Sequence, residues 1–320
     1  MKAVVQHSYG PDGVELRDVD MPVIDDHQVL LRAHASSVNP AEWYRVQGPF
    51  FARMDSGLRR PKSLSIGGDV AGRVEAVGSD VTKFQPGDEV FGTSGGAWAE
   101  YTPAREVRLV KKPGNVSYEE AAAVPVAALT ALQALRDHGK VQAGQKVLIN
   151  GASGGVGTFA VQLAKSFGAD VTAVCSTRNV DQAGSLGADR VCDYTREDFT
   201  RSGERHDLML DVAGSRPFLE FRRVLKPDAI VVAVGAPMSA RGLGPLKHLI
   251  GSRLTSLGRS QRVVNFVAKI TKEDLAFMSE LLADGTVKSV IDRRYELAQV
   301  ADALRYLGEG HARGKIVITV

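Results

Sequence analysis

Cysteine is scarce: of 320 residues, only Cys175 and Cys192 carry a thiol. Two cysteines cannot build a disulfide framework or a four-cysteine zinc lobe. The seven histidines, at 7, 27, 34, 138, 206, 248 and 311, show neither i,i+4 pairing nor cysteine-partner spacing. Charge of one sign is missing as well. Forty Lys and Arg stand against 37 Asp and Glu, a net +3, and the densest basic cluster, Arg59, Arg60 and Lys62, is short. That is no footprint for nucleic acid. Long hydrophobic runs are absent too. The longest uncharged stretch, residues 147–164, contains four glycines with Asn150 and Ser153 and makes a poor membrane span. No apolar signal core follows Met1-Lys2-Ala3-Val4-Val5-Gln6-His7, so the expected compartment is a reducing cytoplasm. With 44% apolar and 24% charged residues, the chain has enough apolar mass for a soluble globular protein, and its length suggests two domains.

The first 110 residues read as β-rich. Short apolar segments at Lys2–Gln6 and 28–34, the alternating run Asp69–Val77 and the turn Pro86-Gly87-Asp88 suggest a compact barrel-like domain. Near Ser117 the texture changes. Ser117-x-x-Glu120 is a capping-box pattern that opens an Ala-rich helix, which Pro125 should interrupt or bend. From Lys146 the pattern alternates strand and helix. Strands are expected at Val147-Leu148-Ile149 and at 171–175, 190–192, 208–212, 229–234 and 254–257, with helices at 180–186 and 217–225. Six short strands with helical crossovers describe a doubly wound parallel sheet. Beyond about residue 265 come two helical stripes, through Leu275, Met278, Leu281 and Leu282 and through Val300, Ala303, Leu304 and Leu307, and then a final strand, Lys315 to Val320.

The most informative stretch is Gly151-Ala152-Ser153-Gly154-Gly155-Val156-Gly157, set between the first apolar strand and a periodic helix. Glycines let a backbone approach a pyrophosphate, and a helix N-terminus offers free N–H groups and a positive dipole end. Ser153, Gly154, Gly155 and Val156 are therefore expected to bind a dinucleotide. Gly151-x-Ser153-x-Gly155 also matches a hydrolase nucleophile elbow, with Asp211 and His311 following in the right order. Gly157 is a glycine that an elbow does not need. An NAD site usually places an acid about 20 residues beyond the turn. Here Cys175-Ser176-Thr177-Arg178-Asn179 holds none, and Ser176, Thr177 and Arg178 suit a 2′-phosphate, so the expected cofactor is NADP(H).

The chain resembles the zinc-independent medium-chain dehydrogenases/reductases, in their quinone oxidoreductase, zeta-crystallin-like branch. The resemblance spans nearly the whole chain. It rests on Asn39-Pro40 with Tyr44, Gly67-Gly68-Asp69-Val70-Ala71-Gly72, Pro86-Gly87-Asp88-Glu89-Val90 and Gly95-Gly96-Ala97-Trp98-Ala99-Glu100-Tyr101. Leu129-Thr130-Ala131, the glycine turn and Gly310-His311-Ala312-Arg313-Gly314-Lys315 complete it. It implies an α/β fold in which a β-rich GroES-like catalytic domain (1–121 and 265–320) flanks a doubly wound Rossmann domain (122–264), with a cleft for the nicotinamide. Homodimers are usual among similar proteins. Zinc alcohol dehydrogenases place Cys where Asn39 stands and His-Glu where Gly68-Asp69 stand, so no metal is expected.

Without a metal, the accessible reaction is hydride transfer from NADPH to an electrophilic acceptor, a quinone or an α,β-unsaturated carbonyl compound. Tyr44 is the candidate donor to the developing oxyanion, and Asn39 could hold the carbonyl or orient Tyr44. By resemblance, Thr130, Gly314 and Lys315 reach the nicotinamide end and Tyr194 the adenosine phosphate region. Ser215, Val234, Gly235 and Ala236 follow later strand ends, where cofactors lie in such sheets. Each residue has a plain structural alternative: Tyr44 as core beside Trp43, Asn39 as a turn residue, Lys315 as an exposed turn. The loop 48–64, with Phe50, Phe51, Met54, Leu58, Arg59 and Arg60, could cover the active-site mouth or simply fold on the surface. Competing functions are a zinc-independent NADP-linked alcohol/carbonyl oxidoreductase and a non-catalytic NADPH-binding protein.

Overall fold

The structure, a computed structural model, describes residues 1–49, 53–54, 57–62, 65–234 and 261–320. The chain divides into two compact units, Met1–Leu129 with Ile270–Val320, and Thr130–Lys269. The boundaries expected from the sequence fall a few residues earlier in the chain at each junction.

The first unit opens with an antiparallel pair, β1 (Lys2–Gln6) and β2 (Val14–Asp18). Then follow β3 (Gln28–Val38), β4 (Asp69–Val77), β5 (Glu89–Thr93), β6 (Tyr101–Arg105) and β7 (Leu109–Lys111). Helix α1 (Pro40–Gln47) leaves β3 directly. Asn39 is its N-cap, in a reciprocal capping box with Glu42, Pro40 pre-sets the first turn, and Gly48 ends it in the left-handed conformation. Further on, α2 (Tyr118–Ala122) has the expected box of Ser117 and Glu120. It stops after one turn, and Pro125 starts a new helix, α3 (Pro125–Gln133), because its missing N–H costs nothing at a first helical position.

The second unit is a six-stranded parallel sheet. Its strands are β8 (Lys146–Asn150), β9 (Asp170–Cys175), β10 (Arg190–Asp193), β11 (His206–Asp211), β12 (Leu225–Ala233) and β13 (Arg262–Asn265). Helices α4 (Gly155–Ser166) and α5 (Val180–Ser185) make the first two crossovers. The spatial order is β10-β9-β8-β11-β12-β13, so the winding direction reverses between β8 and β11. In such sheets ligands lie outside the carboxyl ends of the strands at that reversal.

Two expectations need correction. The helix expected at 217–225 is only α6 (Phe218–Phe221) with a single 3-10 turn after it. Strand β12 begins at Leu225 rather than 229, because Leu225 pairs with His206 across a register shift in β11, a tertiary pairing that local periodicity does not contain. The sixth strand, β13, was not foreseen. It has four residues and buries Val263 (8% exposed), too short a run to show a period. The expected strand at 254–257 lies outside the described residues. Cys175 and Cys192 are free and buried, and burial pushes their thiols up to about 11 and about 12, as suits packing residues.

The chain then returns to the first unit. Helices α7 (Lys272–Ala283) and α8 (Val300–Gly308) bury the expected stripes at Leu275, Met278 and Leu282 and at Val300, Ala303 and Leu304. Strands β14 (Ile291–Glu296) and β15 (Lys315–Thr319) complete a seven-stranded sheet. There β15 runs antiparallel to β3, with Ile316 opposite Val38. Trp98, Ile66, Val38, Ile316, Ile318 and Leu304 fill one core of this unit, and Val29, Leu31, Val70, Val90 and Leu109 another. Among the described residues no helix is long and apolar enough to cross a membrane.

Candidate functional site

In the second unit the site begins where β8 ends. Gly151 leaves the strand with φ +91°, a conformation open to glycine and strained for other residues. Gly157 lies one turn into α4, where a Cβ would meet the Gly151 carbonyl oxygen at 2.1 Å and Ala152 backbone atoms at 2.7 and 2.8 Å. The helix therefore packs on the turn at a distance that only glycine permits. Its N-cap, Gly154, contributes no side-chain hydrogen bond, so the first-turn amides stay available to an anion. A cradle of this kind fits a pyrophosphate.

The two strands at the reversal are tied together. Asn150 Nδ2, at the end of β8, donates to Asp211 Oδ1 of β11 at 2.8 Å and to Ser215 Oγ at 3.2 Å. Asp211 Oδ1 also accepts from Gly214 N at 3.0 Å, and its carbonyl accepts from Val234 N at 3.0 Å. Ser215 and Val234 thus gather beside the turn. Gly235 and Ala236 lie outside the described residues. Ser153 Oγ accepts from Asn179 Nδ2 at 3.0 Å, and Ser176 Oγ accepts from the same amide at 3.1 Å. Buried Asn179, which no local signal singles out, is what joins the glycine turn to the end of β9. These bonds occupy Ser153 and Asp211 with amide partners, an arrangement for holding a turn rather than for activating a nucleophile.

Thr177 and Arg178 are exposed beyond β9, and Tyr194 follows β10, 52% exposed with its N–H bonded to Cys175 O. An acid stands here after all. Asp193 pairs in register with Cys175, and its Oδ2 accepts from Thr177 Oγ1 at 2.5 Å. The segment 176–179 that follows β9 holds no acid, whereas the fold supplies one from the next strand.

In the first unit the register of three strands gathers a second polar group. Strand β3 sets Ser36 opposite Val70 of β4, and β15 sets Ile316 opposite Val38. Asn39, Asp69 and Lys315 therefore meet, although Asn39 and Lys315 are 276 residues apart. Asp69 is fully buried. Its Oδ2 accepts from Ser37 Oγ (2.6 Å) and Asn39 Nδ2 (2.9 Å) and lies 3.4 Å from Lys315 Nζ, while its Oδ1 accepts from Val126 N (3.1 Å). Lys315 Nζ donates to Asn39 Oδ1 at 2.5 Å and is 3% exposed, far from an exposed turn. Gly314 before it has φ +143° and passes so close to Val290 O that a Cβ would lie at 2.4 Å. Asp69 stands in the glycine-rich motif that carries the family resemblance, but nothing local marks it or Ser37 as a partner of Asn39 and Lys315.

Glu42 joins this group. One of its oxygens accepts from Asn39 N at 2.9 Å, and the other lies 2.5 Å from where a Cβ on Gly68 would stand. Burial, reinforced by the neighbouring Asp69 and opposed by Lys315, pushes Glu42 from its ordinary 4.5 up to about 7. The folded protein then keeps this proton while the unfolded chain loses it. Its contribution to stability is complete below pH 4.5 and is lost as pH rises to 7, about 3 kcal/mol in all. Urea denaturation from pH 4 to 8 should show this slope in the wild type and not in Glu42→Gln. An identical slope in both would refute it.

Tyr44, two residues along α1, is half-buried, edge-on to Trp43 at 5.0 Å between ring centroids, and burial raises its phenol above the ordinary value. Thr130, half-buried, lies in α3. Among the described residues, no three His, Cys, Asp or Glu side chains are grouped so as to hold a metal ion.

Comparison with known proteins adds the following. A family profile described as "Alcohol dehydrogenase GroES-like domain" matches residues 25–114, and one described as "Zinc-binding dehydrogenase" matches residues 186–318. The chain is 36% identical to the chloroplast envelope quinone oxidoreductase homolog of Arabidopsis thaliana, over 99% of this chain and 98% of that one. It is 33% identical to the chloroplastic NADPH-dependent alkenal/one oxidoreductase of the same plant, covering 99% of this chain and 79% of the relative. Among solved structures, the quinone oxidoreductase from Coxiella burnetii superposes with a TM-score of 0.89 at 29% identity, over 100% of this chain and 99% of that one.

Proposed function

The chain belongs to the quinone oxidoreductase branch of the medium-chain dehydrogenase/reductase superfamily, and from that membership we propose that it is an NADPH-dependent reductase of quinones or α,β-unsaturated carbonyl compounds. The observation that carries the reading is the uncapped glycine turn at the point where the parallel sheet reverses. Relatives named quinone oxidoreductase and NADPH-dependent alkenal/one oxidoreductase support the acceptor class and the cofactor.

Gly151, Ser153, Gly154, Gly155 and Val156 would hold the pyrophosphate, Ser215 and Val234 would flank it, and Tyr194 would border the adenosine. Thr130 and Gly314 are assigned to the nicotinamide end by resemblance. NADPH held there would supply a hydride for the ring or β-carbon of an acceptor, whose oxygen would then gain negative charge. Tyr44, whose phenol burial keeps neutral, is assigned as donor to that oxygen. Asn39, held by Asp69 and Lys315, is assigned to orient the acceptor. The reading includes independence from metal. Where a zinc enzyme would offer thiolate and imidazole, this chain offers an amide, Asn39, that already faces a buried ammonium. The low cysteine count and the family resemblance support a cytoplasmic homodimer without nucleic-acid or membrane partners, although the plant relatives' names place them in chloroplasts.

Two measurements test the proposal. Loss of NADPH absorbance with 9,10-phenanthrenequinone or an enone is the expected activity, and binding of NADPH without turnover of any acceptor would sink it. Replacing Arg178 with Ala should weaken NADPH binding about 10- to 100-fold while leaving NADH unchanged, as expected for a lost charge-assisted contact. Equal losses for both nucleotides would show that Arg178 does not read the 2′-phosphate.

A further inference from the structure

The surface beyond β9 and β10 carries charges of both signs. Arg178 is exposed on the 3-10 turn after β9. Asp193 ends β10, with its side chain 12% exposed and Arg196 Nε 3.5 Å away. Its Oδ2 accepts from Thr177 Oγ1 at 2.5 Å, and its Oδ1 accepts from Thr195 Oγ1 at 2.7 Å and Thr195 N at 3.0 Å. The two threonine oxygens are 2.8 Å apart. The Thr177 hydroxyl, foremost among these donors, holds the Asp193 carboxyl below the usual carboxylate range, so the group is charged at neutral pH.

A hydroxyl has one proton. While Thr177 gives its proton to Asp193, its oxygen can only accept. An ionised 2′-phosphate is also an acceptor, so Thr177 has nothing to donate to it, and Asp193 repels it. An unphosphorylated ribose has a 2′-hydroxyl that donates, and both Thr177 Oγ1 and the carboxylate can receive it. On a 2′-phosphate bound beside Thr177, Arg178 and Asp193 would therefore act in opposite directions.

We propose that Asp193 is a specificity-determining residue that limits the preference of this site for the phosphorylated dinucleotide. The proposal rests on the NADP(H) reading above and deepens it. Asp193→Asn removes the charge and keeps a hydrogen-bonding oxygen. By fluorescence or calorimetric titration, the ratio of NADPH to NADH affinity should rise about tenfold over wild type at low salt. The fragments 2′,5′-ADP and 5′-ADP should show the same rise in ratio, which separates the effect from events at the nicotinamide. Asp193→Ser, which is smaller and uncharged, should shift the ratio in the same direction and provides the test should the asparagine variant fold poorly. Thr195→Val, which leaves the charge in place, should change the ratio less than twofold. If wild type binds both nucleotides and the ratio in the uncharged variants stays within twofold or falls, Asp193 has no such role. If wild type binds neither nucleotide, it is the cofactor reading itself that fails.

Discussion

Replacing Lys315 with methionine is expected to destabilise the folded protein by about 3–5 kcal/mol, because it leaves a fully buried carboxylate without its cation. Asp69 would keep Ser37, Asn39 and the Val126 amide as neutral donors. Asn39 Oδ1 would lose the ammonium that it faces at 2.5 Å. The paired variant Lys315→Met with Asp69→Asn should recover most of the loss, since it removes both charges together and buried ion pairs rarely add much net stability over neutral groups. Urea denaturation of the full chain at pH 7 decides the matter. A single variant within about 1 kcal/mol of wild type would mean that Asp69 is not charged, or that water reaches it. The experiment also bears on the reaction. If Asn39 orients the acceptor, the paired variant, stable but with a loosened amide, should show a raised KM rather than a lost fold.

The second large effect is expected at the glycine turn, where two glycines should fail for different reasons. Gly157→Ala puts a methyl group 2.1 Å from the Gly151 carbonyl oxygen and against Ala152 backbone atoms. The helix must move off the turn, which costs about 1–3 kcal/mol by overpacking and displaces the first-turn amides proposed to hold the phosphates. NADPH affinity should fall about 100-fold or more together with the loss of stability. Gly154→Ala is sterically easy in the protein alone. Its φ of −80° is open to any residue, and the nearest atom to its Cβ is the Gly151 oxygen at 3.9 Å. That variant should melt like wild type and still lose cofactor, because its methyl group stands where the backbone must approach the pyrophosphate. Should Gly154→Ala bind NADPH normally, the dinucleotide does not cross the turn at this point.

Glycine turn, capping box and helix stripes were legible because each is a local necessity. Gly157 announces close packing within six residues of Gly151. Ser117 and Glu120 satisfy each other's amides across one turn, and Leu275, Met278 and Leu282 repeat at the helical period. Strand β13 and the early start of β12 were not legible, since a four-residue strand has no period and the pairing of Leu225 with His206 lies in the neighbouring strand. That an acid meets Thr177 was not legible either, for a related reason. Asp193 is 16 residues further along, and only the parallel register of β9 and β10 sets it there.

What the sequence determined by itself was the class of molecule: two kinds of texture, and a parallel sheet entered through a glycine turn. What the tertiary structure alone decided was the partnership of charged groups. Lys315 could as well have been a solvated turn residue until β15 came to lie beside β3, because a strand's pattern says which side chains share a face, and not which strand will stand next to it. A buried charge finds its partner through that register, and no run of neighbouring residues records it.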